Sequence, residues 1–148
     1  VGKIELKSAN PHEYPAIHPN YLSTQPDCDT VVSALKMTRN ICQQQPVKSL
    51  ITEEYAPGDA IGINDDDALL DWARNNATTI YHPVGTCKMG QDKMSVVDER
   101  LCVKGVSNLR VADASIMPSI TSGNTNAPSI MIGEKLSDLV LSKYKKAI

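Results

Sequence analysis

The chain contains no phenylalanine, so its aromatic residues are five tyrosines and one tryptophan among 148 residues. We have no physical account of that absence. Other absences are more informative. Charge is nearly balanced, with 15 Lys and Arg against 17 Asp and Glu, so nothing marks a nucleic-acid-binding surface. No apolar run reaches the ~18 residues that a membrane-spanning helix needs, and no secretory leader is visible. The four cysteines, Cys28, Cys42, Cys87 and Cys102, form no Cys-x-x-Cys pair and have no histidines clustered beside them. That spacing speaks against a metal centre. Reduced thiols are expected, in keeping with a cytoplasmic setting. Internal repeats and low-complexity linkers are missing as well.

What is present suits one domain with a real core, at 41% hydrophobic residues. The chain lacks an initiator Met and opens inside what reads as a strand, so it is expected to begin within a longer protein. Residues 3–8 alternate apolar and charged, the pattern of a half-buried strand. A loop over 10–23 follows, broken by Pro11, Pro15 and Pro19, and His12 and His18 within it read as non-catalytic. Gln25-Pro26-Asp27 opens a helix whose apolar face runs through Gln45, where Pro46 stops it. Residues 49–55 read as another strand or extended segment. Asp65, Asp66 and Asp67 precede a second helix carrying Trp72 in the core. Three carboxylates could hold a cation, but negative charge in a helix's first turn is favoured by the backbone dipole anyway.

The stretch Ile80-Tyr81-His82-Pro83-Val84-Gly85-Thr86-Cys87-Lys88-Met89-Gly90 then holds one imidazole in a Pro- and Gly-punctuated loop. Such a ring can serve as a general base or simply as a hydrogen-bonded structural residue. Short strands are expected at 96–98, 101–103 and 109–111. The segment Ser122-Gly123-Asn124-Thr125-Asn126-Ala127-Pro128 leads into a helix over 129–143 with a basic tail. Asn124 offers both a donor and an acceptor, and Asn126, Pro128 and Ser129 resemble a helix entry suited to an anion or a polar ring edge.

Three ordered motifs, YHPVGTCKMG, VVDERLCVKGVSNLRVADASIMP and SGNTNAPSIMIGEK, closely resemble the C-terminal signature of the glucose–methanol–choline (GMC) flavoprotein oxidoreductases. The opening, GKIELKSANPHEYPAIHPNYLS, is similar to the segment that begins the same family's C-terminal region. The resemblance implies an α+β fragment of the GMC fold. Residues 1–79 would belong to the substrate domain with its antiparallel sheet, and residues 80–148 would return to pack on the FAD-binding domain. It implies FAD as cofactor and a primary alcohol, choline-like or aliphatic, as substrate. By the same resemblance His82 is the catalytic base and Asn124 its partner, while Tyr81, Asp113, Ala114, Thr125 and Asn126 lie against the flavin. Asn rather than a second His at 124 leans toward the choline and aliphatic alcohol dehydrogenases.

One departure matters. The family's Gly-x-Gly-x-x-Gly strand–turn–helix does not occur in these 148 residues. The isolated chain is therefore expected to be inactive without the N-terminal FAD-binding domain as partner. Two other readings remain open: a flavin-containing hydroxynitrile lyase, in which the same His does acid–base chemistry, and a non-catalytic domain that docks a partner chain.

Overall fold

The computed structural model describes residues 1–145, and the basic tail expected from the sequence falls largely outside them. Helices dominate, with one small antiparallel ribbon, which makes the fold α+β. The chain divides into two compact units, Val1–Thr78 and Thr79–Ile148.

The first unit opens with strands β1 (Lys3–Glu5) and β2 (Ala16–His18), paired antiparallel with Ile4 opposite Ile17. The expected strand over 3–8 is thus cut to three residues, and its partner lies inside the expected proline-rich loop. Both strands are largely exposed rather than half-buried, because no third layer of the unit covers them. His18 lies opposite Lys3 and reaches diagonally to Glu5, with Nε2 3.5 Å from the carboxylate.

Helix α1 (Gln25–Cys42) begins where expected. The Thr24 hydroxyl accepts from the Asp27 N–H, and Pro26 sits in the first turn, where its missing N–H costs nothing. It ends three residues before Gln45, with Gln43 as its C-cap. Beyond Pro46 the expected strand does not form. Val47–Leu50 makes one turn of 3-10 helix, and 51–55 has no regular structure. Arg39 explains how that irregular segment is held. Its Nε contacts both Glu54 carboxylate oxygens at 2.9 and 3.0 Å, while its terminal nitrogens donate to the carbonyls of Ile61 and Gly58. Two backbone carbonyls just beyond the expected strand are thus satisfied by one guanidinium.

Helix α2 (Asp66–Asn76) packs on α1 through Leu69 and Ala73, which are almost wholly buried. Trp72, expected in the core, is only half-buried, because the buried stripe passes through its neighbours. The acidic run has local duties. Asp65 caps the helix by accepting from the Ala68 N–H at 3.0 Å, and Asp66 pairs with Lys36. Among the described residues no group of His, Cys, Asp or Glu converges as metal ligands.

The second unit is built on Val97, Leu101, Ile116, Met117 and Ile132, with Val84, Met89, Val103, Val111, Leu136 and Leu139 packed around them. This core is wholly aliphatic and thioether. The three expected strands survive only as single bridges, Met89 with Val97, Val97 with Val103 and Cys102 with Arg110. The chain turns too often for a ladder: Leu101, Gly105 and Asn108 all have positive φ, and the Asp98 carboxylate accepts from the Arg100 and Cys102 N–H groups. A short 3-10 turn, Ala114–Ile116, follows, and helix α3 (Asn126–Lys145) lays Ile132, Leu136 and Leu139 on the core. It starts three residues earlier than expected, since Pro128 falls within the first turn instead of before it. No described helix is long and apolar enough to cross a membrane.

Candidate active site

His82 enters the second unit through a constrained loop. Tyr81 has φ of 64°, an uncommon conformation for a bulky residue, and its N–H donates to the Thr79 hydroxyl at 3.1 Å. Strain of this kind persists only where the surroundings over-determine it. Gly85 follows at φ 87°, where a Cβ would also lie 3.3 Å from the Met117 carbonyl. The loop is then tied down twice, by the Cys87 N–H to the Ser115 carbonyl at 3.0 Å and the Met89 N–H to the Ile116 carbonyl at 2.7 Å. Val84, two residues past His82, packs on the core.

The first turns of α3 are anchored on the same core by Ile132. The Thr125 carbonyl accepts the first helical bond from the Ser129 N–H at 3.0 Å and a second from the Ser129 hydroxyl at 2.6 Å. The two segments therefore meet although 42 residues separate His82 from Asn124. The ring is held at both nitrogens. Asn124 Nδ2 lies 2.9 Å from Nε2, and Thr125 Oγ1 lies 2.7 Å from Nδ1. Thr125 is buried, His82 half-buried and Asn124 exposed, so Nδ1 points inward and Nε2 toward the surface.

Of the seven expected site residues, then, His82, Asn124 and Thr125 form one hydrogen-bonded cluster. Tyr81 adjoins it in sequence, with an exposed side chain. Asp113 directs its carboxylate to its own turn, accepting from the Ser115 N–H at 2.8 Å, and Ala114 packs against the core. Both belong to the segment that pins the His82 loop. Asn126 opens α3 with its side chain exposed. The Thr125–His82 bond is absent from the sequence expectations. Its one legible sign was Thr-Asn-Ala-Pro: a threonine N-cap whose third following residue has no N–H to offer the hydroxyl.

A second polar knot stiffens the end of the loop. Asp92 accepts from the Ser95 hydroxyl and the Met94 N–H, both at 2.8 Å, and lies 3.1 Å from Lys88 Nζ. The Ser95 bond first, and then Lys88 and Met94, hold its carboxyl well down, at about 2. All four cysteines are free.

The α+β scaffold thus presents an imidazole and a carboxamide side by side, groups that can exchange a proton and donate a hydrogen bond. The chain belongs to the GMC oxidoreductase family, whose model matches residues 1–133. It is 47% identical over 146 residues to the alcohol dehydrogenase [acceptor] of Pseudomonas putida, covering 99% of this chain and 26% of that protein. It is 45% identical over 139 residues to the oxygen-dependent choline dehydrogenase of Escherichia coli strain K12, covering 94% of this chain and 25% of that one. Among solved structures, pyridoxine 4-oxidase from Mesorbium loti superposes with a TM-score of 0.84 at 32% identity, over 93% of this chain and 26% of that one. Formate oxidase of Aspergillus oryzae RIB40, studied for its FAD modification, gives 0.90 at 27% identity, over 99% of this chain and 26% of that one. The chain thus spans about a quarter of the length of these relatives. Members of the family depend on FAD.

Proposed function

We propose that the chain is the C-terminal part of an FAD-dependent enzyme that oxidises a primary alcohol, choline-like or aliphatic, to the aldehyde. Residues 1–79 belong to its substrate domain and 80–148 return to its FAD-binding domain. The observation that carries this reading is the direct contact of Asn124 with His82 Nε2. An alcohol oxygen entering between the two exchanges that bond for two others. Neutral His82 Nε2 accepts the hydroxyl proton, and Asn124 Nδ2 donates to the oxygen as alkoxide character develops. The carbon–hydrogen pair leaves as hydride, the C–O bond gains a second component, and the aldehyde results. When bound, the flavin supplies the hydride acceptor.

The residues present fit part of that cofactor. The first turn of α3 carries no acidic side chain, and N–H groups at a helix start suit the polar edge of a flavin ring. Tyr81 and Asn126 flank the cluster, and Asp113 and Ala114 adjoin the His82 loop, where they would face the cofactor's chain. The glycine-rich turn that would grip the pyrophosphate is not among these residues, which agrees with a separate FAD-binding domain as partner. Four free thiols accord with a cytoplasmic setting.

The test uses the full-length flavoprotein, mixed anaerobically with a panel of primary alcohols while flavin bleaching is followed. Wild type should bleach, and His82→Ala should slow by roughly 10²–10⁴-fold, the range for losing a general base. A variant that keeps pace removes His82 from the mechanism. If no alcohol bleaches the wild type, cyanohydrin cleavage is the assay for the lyase alternative, and failure of both leaves a docking domain.

A further inference from the structure

The imidazole of His82 has two nitrogens, and the reaction above needs a lone pair on one of them, Nε2. We infer that Thr125 is the positioning residue that puts the ring's single proton on Nδ1 and so leaves Nε2 basic; this rests on reading His82 as the base.

Four observations support it. Thr125 Oγ1 is 2.7 Å from Nδ1, short enough for a full hydrogen bond. Thr125 is only 7% exposed, so water is a poor substitute partner for that nitrogen. Its hydroxyl has no competing task in the third position of its own helix, because Pro128 stands there without an N–H. Its backbone is immobilised by two bonds from Ser129 to its carbonyl, which keeps the hydroxyl in register with the ring.

The other end of the ring agrees. Asn124 presents its amide nitrogen, a donor only, to Nε2 at 2.9 Å, the partner that suits Nε2 when the ring's proton is on Nδ1. Both contacts are satisfied together by one tautomer, with Nδ1–H donating to Thr125 Oγ1 and Nε2 free to accept. Substrate then competes with Asn124 alone. Thr125 stays behind the ring and never meets the alcohol. Removing the hydroxyl leaves a buried Nδ1–H without an acceptor, a penalty the ring escapes by moving its proton to Nε2. In that form it has nothing to offer a substrate proton.

The variants are Thr125→Val, which keeps the shape, and Thr125→Ser, which keeps the hydroxyl, both in the full-length flavoprotein with its flavin absorbance checked. Long-range ¹H–¹⁵N spectra of histidine-labelled protein read the tautomer directly, with the His82 signals identified by their loss in His82→Gln. Wild type should show Nδ1–H, Thr125→Val should move toward Nε2–H, and Thr125→Ser should return to the wild-type pattern. In parallel kcat should fall about tenfold to a hundredfold in Thr125→Val, the usual cost of losing a histidine's orienting partner, with KM little changed and most of the rate recovered in Thr125→Ser. Nε2–H in the wild type, or an unchanged tautomer in Thr125→Val, overturns the inference. A tautomer that moves while kcat holds overturns the assignment of His82 as base instead, so the two failures are distinct.

Discussion

At the scale of single residues, the two edges of His82 face different environments. Its inner nitrogen meets a buried hydroxyl and its outer nitrogen an exposed carboxamide. Exchange of Asn124 for Ala in the full-length flavoprotein should keep the base yet lose the donor to the developing alkoxide. We expect kcat to drop by about 10²–10³, as for one oxyanion-hole donor, and anaerobic flavin reduction measures it; an undiminished rate would mean Asn124 never touches the substrate oxygen. Asp92 gives a prediction about pH. Its folded carboxyl titrates near 2 instead of the usual 3.8, chiefly because Ser95 hydrogen-bonds the charged form. A folded value below the unfolded one stabilises fully above the unfolded value and is lost as pH falls through the folded one. The gap in urea midpoint between wild type and Asp92→Asn should therefore be widest near neutrality and shrink between pH 4 and 2. A gap independent of pH would mean that the carboxylate's charge plays no part.

At the scale of elements, the starts of α1 and α2 were the best-marked features of the sequence. Thr24-Gln25-Pro26-Asp27 and Asp65-Asp66-Asp67 carry N-capping side chains and first-turn charge, which act over a few residues and need no distant partner. Replacement of Asp65 by Ala should cost about 0.5–2 kcal/mol, the usual loss for such a cap, readable as a lower denaturation midpoint. Strands were poorly marked for the opposite reason. Alternation over 3–8 and the short apolar runs at 96–98, 101–103 and 109–111 suggested strands, but a ladder needs a neighbour in register, and the turns at Leu101, Gly105 and Asn108 reduce the later runs to single bridges. The Arg39 clamp on Glu54, Gly58 and Ile61 was equally invisible, since its partners lie 15 to 22 residues away and two of them are backbone carbonyls. In α3, Ile132→Ala should cost about 2–5 kcal/mol, the range for emptying a buried aliphatic site. Because Thr125 immediately precedes the same helix and is bonded to its first turn, a calorimetric loss should come with weaker substrate turnover.

At the scale of the whole molecule, the second unit exposes apolar surface at Ile80, Tyr81, Ile120, Ile130 and Met131. An FAD-binding domain seated there would cover it. The 148-residue chain supplied with free FAD should therefore show no alcohol-dependent dye reduction, and turnover without a partner domain would refute the division of labour proposed above. The motifs around His82 and Asn124 were readable in sequence because each is a contiguous run with its own turn chemistry. The starts of α1 and α2 and the family resemblance were readable for the same reason. Only the tertiary structure decided that His82 Nδ1 meets Thr125, that Arg39 ties down Glu54, Gly58 and Ile61 where 49–55 forms no strand, and that Leu69 and Ala73 are buried while Trp72 is only half-buried. Those outcomes depend on which distant groups the packed chain brings within hydrogen-bonding reach, and no local pattern encodes that distance.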